Sequence, residues 1–320
     1  MEEKRMSAES LSGRQLSVSV MVAGLSPAAA LAGGTDWPWM VFWTGVGIAL
    51  GWFVLRRVDD RPVYQGVSGV VLCILYAVWA VVLAARILSR AAARLELTSG
   101  GSPKFWLLLI LAVPLIWMCW GKAAPFFRMV EILWLAMAVV LVLVLVFGVV
   151  QVEWRYVLNA QDDWLDSALA MGEVFAPALF LLPYIYKVEG RSNGRGIVWL
   201  SALGGVSAAL SLITVGILGA AAERVPHAFY VAAGLLGKSA RCEGLLSVLW
   251  LLPDLTLAGL LCRVWGPRRW PALGAGLAFS LAVTEVADQI PQEFCVCGSF
   301  ILLLVLLFLP RGKGKIVVKF

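Results

Sequence analysis

The stretch ILWLAMAVVLVLVLVFGVV, residues 132–150, contains 19 consecutive residues without a charged side chain. As an α-helix it would be about 29 Å long, close to the roughly 30 Å hydrocarbon thickness of a bilayer. The whole chain agrees, because 61% of its 320 residues are apolar, 14% are charged, and the mean hydropathy is +0.88. Soluble domains are about half apolar and about a quarter charged. The sequence therefore predicts an integral membrane protein, and its long unbroken apolar runs favour helices over the alternating strands of a β-barrel.

Ten apolar segments of this kind follow one another with short connections, so the predicted fold class is an all-α integral membrane protein with about ten transmembrane helices. The predicted spans lie near residues 15–33, 37–55, 64–86, 105–121, 129–151, 164–186, 196–221, 243–264, 271–287 and 297–310. We expect one transmembrane domain over residues 15–310, preceded by an N-terminal tail at 1–14 and followed by a basic tail at 311–320.

Lysine and arginine are concentrated on one side of this arrangement. The tail at 1–14, the even-numbered connections and the tail at 311–320 hold most of them. The positive-inside rule then places both termini in the cytoplasm. The formal net charge of +6 is thus explained by topology and by contact with membrane lipid, and we expect no nucleic-acid partner.

The first and the sixth spans carry glycine and proline near their centres. Gly24–Pro27 interrupts the first, and Gly172–Pro177 interrupts the sixth. Proline removes a backbone donor and clashes with the preceding helical turn. Interrupted helices at matching positions are the sequence signature of transporters built from two inverted halves. This pattern predicts a five-plus-five inverted repeat, LeuT-like, with repeats at about 15–151 and 164–310 and broken helices 1 and 6. The alternative is that these residues only kink the helices or let them pack closely.

Four segments in chain order resemble the spore germination permease family, the B subunits of nutrient germinant receptors. They are residues 11–41, 126–143, 174–187 and 240–259, which resemble the entries to helices 1 and 5 and the bodies of helices 6 and 8. The matching residues are Ser12, Arg14, Gln15, Asp36 and Trp37, then Arg128 and Glu131, then Leu182, Pro183 and Tyr184, then Arg241, Glu243 and Trp250. Pro253 and Asp254 depart from the family pattern.

The resemblance implies a fold of the amino acid/polyamine/organocation transporter superfamily and a place in the inner membrane of a dormant spore. It also implies partnership with A and C receptor subunits. The expected function is to sense a small germinant, such as an amino acid, in a mid-membrane pocket and to trigger germination, with or without ion release. A secondary transporter of amino acids or related solutes is the alternative, and a purely structural subunit is the third class.

The pocket is expected between helices 1, 3, 6 and 8. Free N–H groups at Gly24–Pro27 would bind a carboxylate, and carbonyl groups at Gly172–Pro177 would bind an ammonium group, with Glu173 as a counter-charge. Tyr76 and Trp250 would close the sides. Asp254, near the centre of span 8, contacts either the ligand or a neighbouring helix. The predicted ligand-binding residues are Gly24, Leu25, Ser26, Pro27, Tyr76, Gly172, Glu173, Phe175, Pro177, Trp250 and Asp254.

Other polar residues are given more ordinary roles. Arg86, Arg90 and Arg94 form one basic face beyond span 3, which either is a solvated helix end or meets an acidic surface. Cys295 and Cys297 are expected in an outward loop, where a disulfide would be one option; the alternative is that the short tenth span extends into them. The six cysteines show no metal spacing and the single His227 has no nucleophile around it, so we expect no enzyme, no metal and no cofactor.

Overall fold

The computed structural model describes residues 12–32, 37–59, 67–119, 123–158, 164–189, 195–225, 227–236, 242–263 and 290–308, and all regular structure in these ranges is helical. The predicted span at 271–287, residues 1–11 of the N-terminal tail and the basic tail at 311–320 lie outside the described residues. The long helices are α1 (Gly13–Leu31), α2 (Trp37–Asp59), α3 (Val67–Thr98), α4 (Lys104–Cys119), α5 (Ala123–Gln151), α7 (Trp164–Glu189), α8 (Arg195–Leu218) and α12 (Gln292–Phe308). The shorter ones are α6 (Trp154–Leu158), a 3-10 turn at Gly219–Ala221, α9 (Ala228–Leu235), α10 (Cys242–Leu249) and α11 (Leu251–Arg263).

Five stretches are long and apolar enough to cross a membrane: Trp37–Arg56, Ile74–Thr98, Ala124–Gln151, Trp164–Leu182 and Gly196–Ala221. Three shorter apolar stretches, Lys104–Met118, Leu246–Cys262 and Gln292–Val305, accompany them. The chain is thus a multi-pass, all-helical membrane protein.

Helix α1 is the centre of the bundle and packs against α5, α7, α8 and α11. Its start is fixed by Ser12, whose hydroxyl accepts from the N–H of Gln15 at 3.2 Å while the Gln15 side chain accepts from the N–H of Ser12 at 3.1 Å. This reciprocal capping box satisfies two backbone donors that the first helical turn leaves free. Small residues along α1 then let the neighbouring helices approach closely.

The predicted breaks in helices 1 and 6 are wrong. Helix α1 runs without interruption through Gly24–Pro27, and α7 runs without interruption through Gly172–Pro177. Each proline removes one N–H from the helical ladder. In α1 that loss is tolerated because the helix is enclosed: Val22, Ala23 and Leu25 are fully buried, so the packing of the bundle holds its direction.

The helical interruption lies instead at Trp250, inside the eighth predicted span. Helix α10 ends at Leu249 and α11 begins at Leu251. Pro253 explains the position, because its ring opposes the carbonyl of the residue four places earlier, Leu249. The two pieces remain connected by hydrogen bonds, since Trp250 N–H donates to the Leu246 carbonyl at 2.9 Å and Asp254 N–H donates to the Trp250 carbonyl at 3.4 Å.

Two further expectations are corrected by the helix bounds. Helix α3 continues to Thr98, twelve residues past the predicted end of span 3, so its arginines lie within a helix and not beyond one. Helix α12 begins at Gln292, so Cys295 and Cys297 lie in a helix and not in a loop. Cys295 is buried and both thiols are free.

Candidate functional site

Three arginines of α3, four residues apart, point into one cavity inside the bundle. Arg86 and Arg94 are buried, with relative exposures of 8% and 5%, whereas the Arg90 side chain is 28% exposed. A spacing of four residues places them on one face of the helix. The expectation of a solvated helix end is therefore wrong, because this face is turned into the protein.

Arg94 forms a buried cluster with Asp254 of α11. Arg94 Nη2 lies 2.6 Å from Asp254 Oδ2, and the other carboxylate oxygen accepts from the hydroxyl of Ser26 at 2.6 Å. Arg94 Nη1 donates to the Tyr230 hydroxyl at 2.9 Å, and Nη2 also donates to the Ser247 carbonyl at 3.3 Å. The cluster thus connects α3, α11, α1, α9 and α10 through one buried ion pair. Such a pair offsets its desolvation cost only when the remaining polar atoms are also bonded.

Glu173 of α7 is shared by the other two arginines. Its Oε1 accepts from Arg90 Nη1 and lies 3.5 Å from Arg86 Nε. Arg86 in turn donates through Nη1 to the Ile290 carbonyl at 2.7 Å and to the Cys295 sulfur at 3.0 Å. Arg86 therefore links α3 to the segment that leads into α12.

These groups surround a cavity of about 40 Å³, which is several times the space that one ordered water needs. Glu173 is near the middle of the apolar stretch Trp164–Leu182, and Asp254 is near the middle of Leu246–Cys262. The cavity is thus a polar pocket at mid-bundle. A charged side chain at the centre of a bilayer costs at least about 2.5–3.5 kcal/mol, so such residues face the protein interior and mark ligand or ion sites.

His227 lines the same cavity from the turn that precedes α9. Its backbone is left-handed, with φ 56° and ψ 43°, a conformation that costs a non-glycine residue roughly 1–3 kcal/mol and is found most often at functional sites. Burial, together with the positive charges of Arg94 and Arg90, lowers the pKa of His227 below its ordinary value. His227 therefore faces the arginines as a neutral imidazole at neutral pH.

The cavity contains five of the eleven residues predicted as ligand-binding. The five are Ser26, Pro27, Glu173, Pro177 and Asp254. Their helices converge here because α1 is central and both α7 and α11 pack against it.

The other six predicted residues lie outside the lining of this cavity. Tyr76 stacks on Phe180 with 3.9 Å between ring centroids. Trp250 is fully buried behind the cavity, where its indole N–H donates to the Leu25 carbonyl at 3.1 Å. Phe175 packs in the space left by Gly47 of α2.

Gly24 and Gly172 lie at helix contacts. A Cβ on Gly24 would overlap the side chain of Leu203, and one on Gly172 would lie 2.7 Å from Val296 Cγ1. Both glycines therefore permit close packing, which was the alternative interpretation of the Gly/Pro segments.

Six titratable residues of the cavity lining were not predicted from the sequence: Arg86, Arg90, Arg94, His227, Tyr230 and Cys295. A signal for the arginines was present. The stretch AARILSRAAARLEL (84–97) keeps strong helix formers between the charges, so that α3 continues and carries the arginines inside. His227 and Tyr230 gave no such signal, because they lie in a connection, His227 in a turn and Tyr230 on the short helix that follows it.

Within the described ranges, no group of three or more His, Cys, Asp or Glu residues is placed to hold a metal ion. No protein-family model matches the sequence, and no curated protein matches it.

Proposed function

We propose that this chain is the ligand-sensing membrane subunit of a spore nutrient germinant receptor, and that the cavity between α1, α3, α7 and α11 binds the germinant. The observation that carries the proposal is the charged cavity itself, with two carboxylates and three arginines in the middle of apolar helices. Intramembrane ionisable residues of this kind mark substrate and ion pathways. The resemblance of four segments to germination permeases supplies the physiological role.

The proposal includes the architecture and partners that the resemblance implies. The chain would consist of two inverted five-helix halves, would lie in the spore inner membrane with both termini in the cytoplasm, and would act with A and C subunits. It differs from the five-plus-five transporters in having no unwound segment in α1 or α7, so ligand contacts must come from side chains. An amino acid is the germinant class that the resemblance suggests.

A secondary transporter of small solutes is the second candidate, and one observation favours it. Arg90 is the least buried of the three cavity arginines, so the cavity is not sealed on that side. A solute could therefore enter and leave at this position. Binding, sensing and transport would use the same residues.

Filling the cavity without changing its charge tests both candidates. Ala30 and Ala176 line the cavity, so Ala30→Leu places an isobutyl group where the ligand would lie. We expect this variant to abolish the nutrient response of spores that carry it as their only copy of the gene. The matched control is Ala136→Leu, which makes the same change at an exposed position of α5.

Uptake of labelled amino acids into liposomes separates the two candidates. A sensor gives a spore response without uptake, whereas a transporter gives uptake that Ala30→Leu abolishes. A full nutrient response from Ala30→Leu, at normal membrane levels, would show that the ligand binds elsewhere.

A further inference from the structure

The described side chains around the cavity do not balance in charge. Arg86, Arg90 and Arg94 carry three positive charges, while Glu173 and Asp254 carry two negative ones. His227 is neutral at neutral pH. Among the described side chains, one positive charge is therefore left over in this pocket, and an uncompensated ion in the middle of a membrane protein is strongly disfavoured.

The excess charge is localised at the Glu173 end of the cavity. Arg94 and Asp254 form a one-to-one pair whose side chains are 6% and 5% exposed. Arg86 and Arg90 instead share a single oxygen of Glu173. The second negative charge that this end of the cavity would need is missing among the described residues.

Unbonded polar atoms occur at this end of the cavity, as one also does at Arg94 Nε in the other ion pair. Arg86 Nε and Glu173 Oε2 are buried and have no hydrogen-bond partner in the described part of the chain, although both side chains are more than nine-tenths buried. A guanidinium group has five N–H donors, and Arg90 uses one of them on Glu173. The cavity therefore contains arginine N–H donors that have no acceptor among the described residues.

We infer that the cavity takes a small monoanion whose carboxylate binds Arg90, with Arg86 behind it. The inference rests on the proposed ligand-binding function, but it replaces the amino acid that the resemblance suggests with a monocarboxylate. A planar guanidinium fork matches a carboxylate through two parallel hydrogen bonds. The cavity lining also includes apolar residues, among them Ala30, Ile87 and Pro177, which suit a short hydrocarbon tail.

Net charge distinguishes this ligand from a free amino acid. An ammonium group could contact Glu173 Oε2, but a zwitterion would leave the excess positive charge of the cavity uncompensated. A monoanion neutralises that charge and leaves the Arg94–Asp254 pair unchanged. We therefore expect a carboxylate without an α-ammonium group to bind more tightly than the amino acid of the same shape.

Four probes test the inference on the purified full chain in nanodiscs, at constant ionic strength. They are propionate, L-alanine, L-alaninamide and chloride, which share small size and differ in charge. We expect calorimetric binding of propionate at least about tenfold tighter than of alanine, because an unpaired buried charge is worth more than about 1.4 kcal/mol. Alaninamide should not bind.

Each other result overturns the inference in a distinguishable way. Tighter binding of alanine than of propionate would refute the monoanion while leaving the proposed sensor function intact. Equal binding of chloride and propionate would refute the carboxylate. If no probe binds, the anion site is refuted. The nutrient response of spores that carry Ala30→Leu would still test the proposed function.

We expect substitutions of Arg90 and of Glu173 to change the affinity for propionate in opposite directions. Arg90→Gln should weaken propionate binding by about ten- to hundredfold, the effect of losing a hydrogen bond to a charged group. Arg90→Lys should lie between this variant and the unaltered protein. Glu173→Gln should instead tighten propionate binding, because it removes the negative charge that competes for Arg90.

A matched control and a folding check complete the design. Arg128→Gln makes the same chemical change at an exposed position of α5 and should leave propionate binding unaltered. Thermal unfolding without ligand reports whether each variant folds. If Arg90→Gln does not fold, Glu173→Gln still tests the inference. If Glu173 instead binds the ammonium group of an amino acid, Glu173→Gln should weaken alanine binding and should not tighten propionate binding.

Discussion

The Arg94–Asp254 pair shows what a single ionised residue contributes in this protein. Its members are buried and form hydrogen bonds with Ser26, Tyr230 and Ser247. Removing one partner leaves the other charge uncompensated, which costs about 3–5 kcal/mol in buried pairs. Removing both charges avoids most of that cost.

We therefore expect Asp254→Asn to lower the midpoint of thermal unfolding in detergent far more than the double variant Arg94→Gln/Asp254→Asn. The exposed pair of Arg14 and Glu131, with 3.0 Å between Nε and Oε1, provides the control. Glu131→Gln should cost less than about 1 kcal/mol, because exposed pairs are screened by solvent. Additive losses in the double variant would mean that the two residues stabilise the fold independently.

His227 is the second residue whose environment predicts a measurable effect, and it is the only histidine in the chain. Its pKa is lowered in the folded protein, so in the pH range below about 6.5 the unfolded chain binds more protons than the folded one. Stability should therefore decrease as the pH falls through this window and should be retained above it.

Thermal unfolding between about pH 7.5 and about pH 5.5 tests this expectation. The unaltered protein should lose stability on acidification, and His227→Gln should lose less over the same interval. An identical slope in both proteins would show that carboxylates alone cause the pH dependence.

At the scale of the helix, glycines can be distinguished by what surrounds them. A Cβ on Gly24 would overlap Leu203 of α8, which is fully buried, whereas a Cβ on Gly45 of α2 meets nothing within 4 Å. Overpacking a core costs roughly 1–3 kcal/mol, while alanine in an open helical position stabilises by about 0.5–1 kcal/mol.

Gly24→Ala should consequently destabilise the protein and Gly45→Ala should not. The losses caused by Gly24→Ala and Leu203→Ala should be less than additive in the double variant, because Leu203→Ala removes the atoms that clash. Thermal unfolding in detergent measures all of these variants. A stable Gly24→Ala variant would contradict the close-packing role of this glycine.

The same helices show how far the sequence predicts the fold. Length and apolarity predict the spans well, because a helix that faces lipid must be apolar along its whole length. Proline positions predict interruptions poorly. Pro27 lies in an enclosed helix that stays continuous, whereas Pro253, in the first turn of α11, follows the end of α10 at Leu249 by four residues. Whether a proline interrupts a helix depends on tertiary packing, which a local pattern does not contain.

At the scale of the whole molecule, hydropathy identifies the outside of the bundle. In the most apolar part of Ala124–Gln151, 17% is buried inside the protein. The corresponding buried share for Trp164–Leu182 is 72%. The central helix α1 is not among the five stretches that qualify as long apolar spans. Helices in a membrane bundle need apolar residues toward lipid and small or polar residues toward each other.

This difference explains which site residues could be predicted. Glu173 and Asp254 stood out as charges within apolar runs, and their depth in the membrane was predictable from the sequence. The arginines required the true length of α3, and Tyr230 required the position of a short buried helix. Long-range contacts of this kind are set by the packing of the entire bundle.

The order of synthesis gives the arginine face of α3 a further consequence. Glu173 follows Arg90 by 83 residues, and Asp254 follows Arg94 by 160. When α3 leaves the ribosome, neither carboxylate has yet been synthesised. Its three arginines are therefore without their carboxylate partners at that stage. We expect the newly made α3 to remain beside the insertion channel, in contact with water, until α7 and then α11 arrive. The Arg94–Asp254 ion pair can therefore form only late in assembly, after α11 has been synthesised.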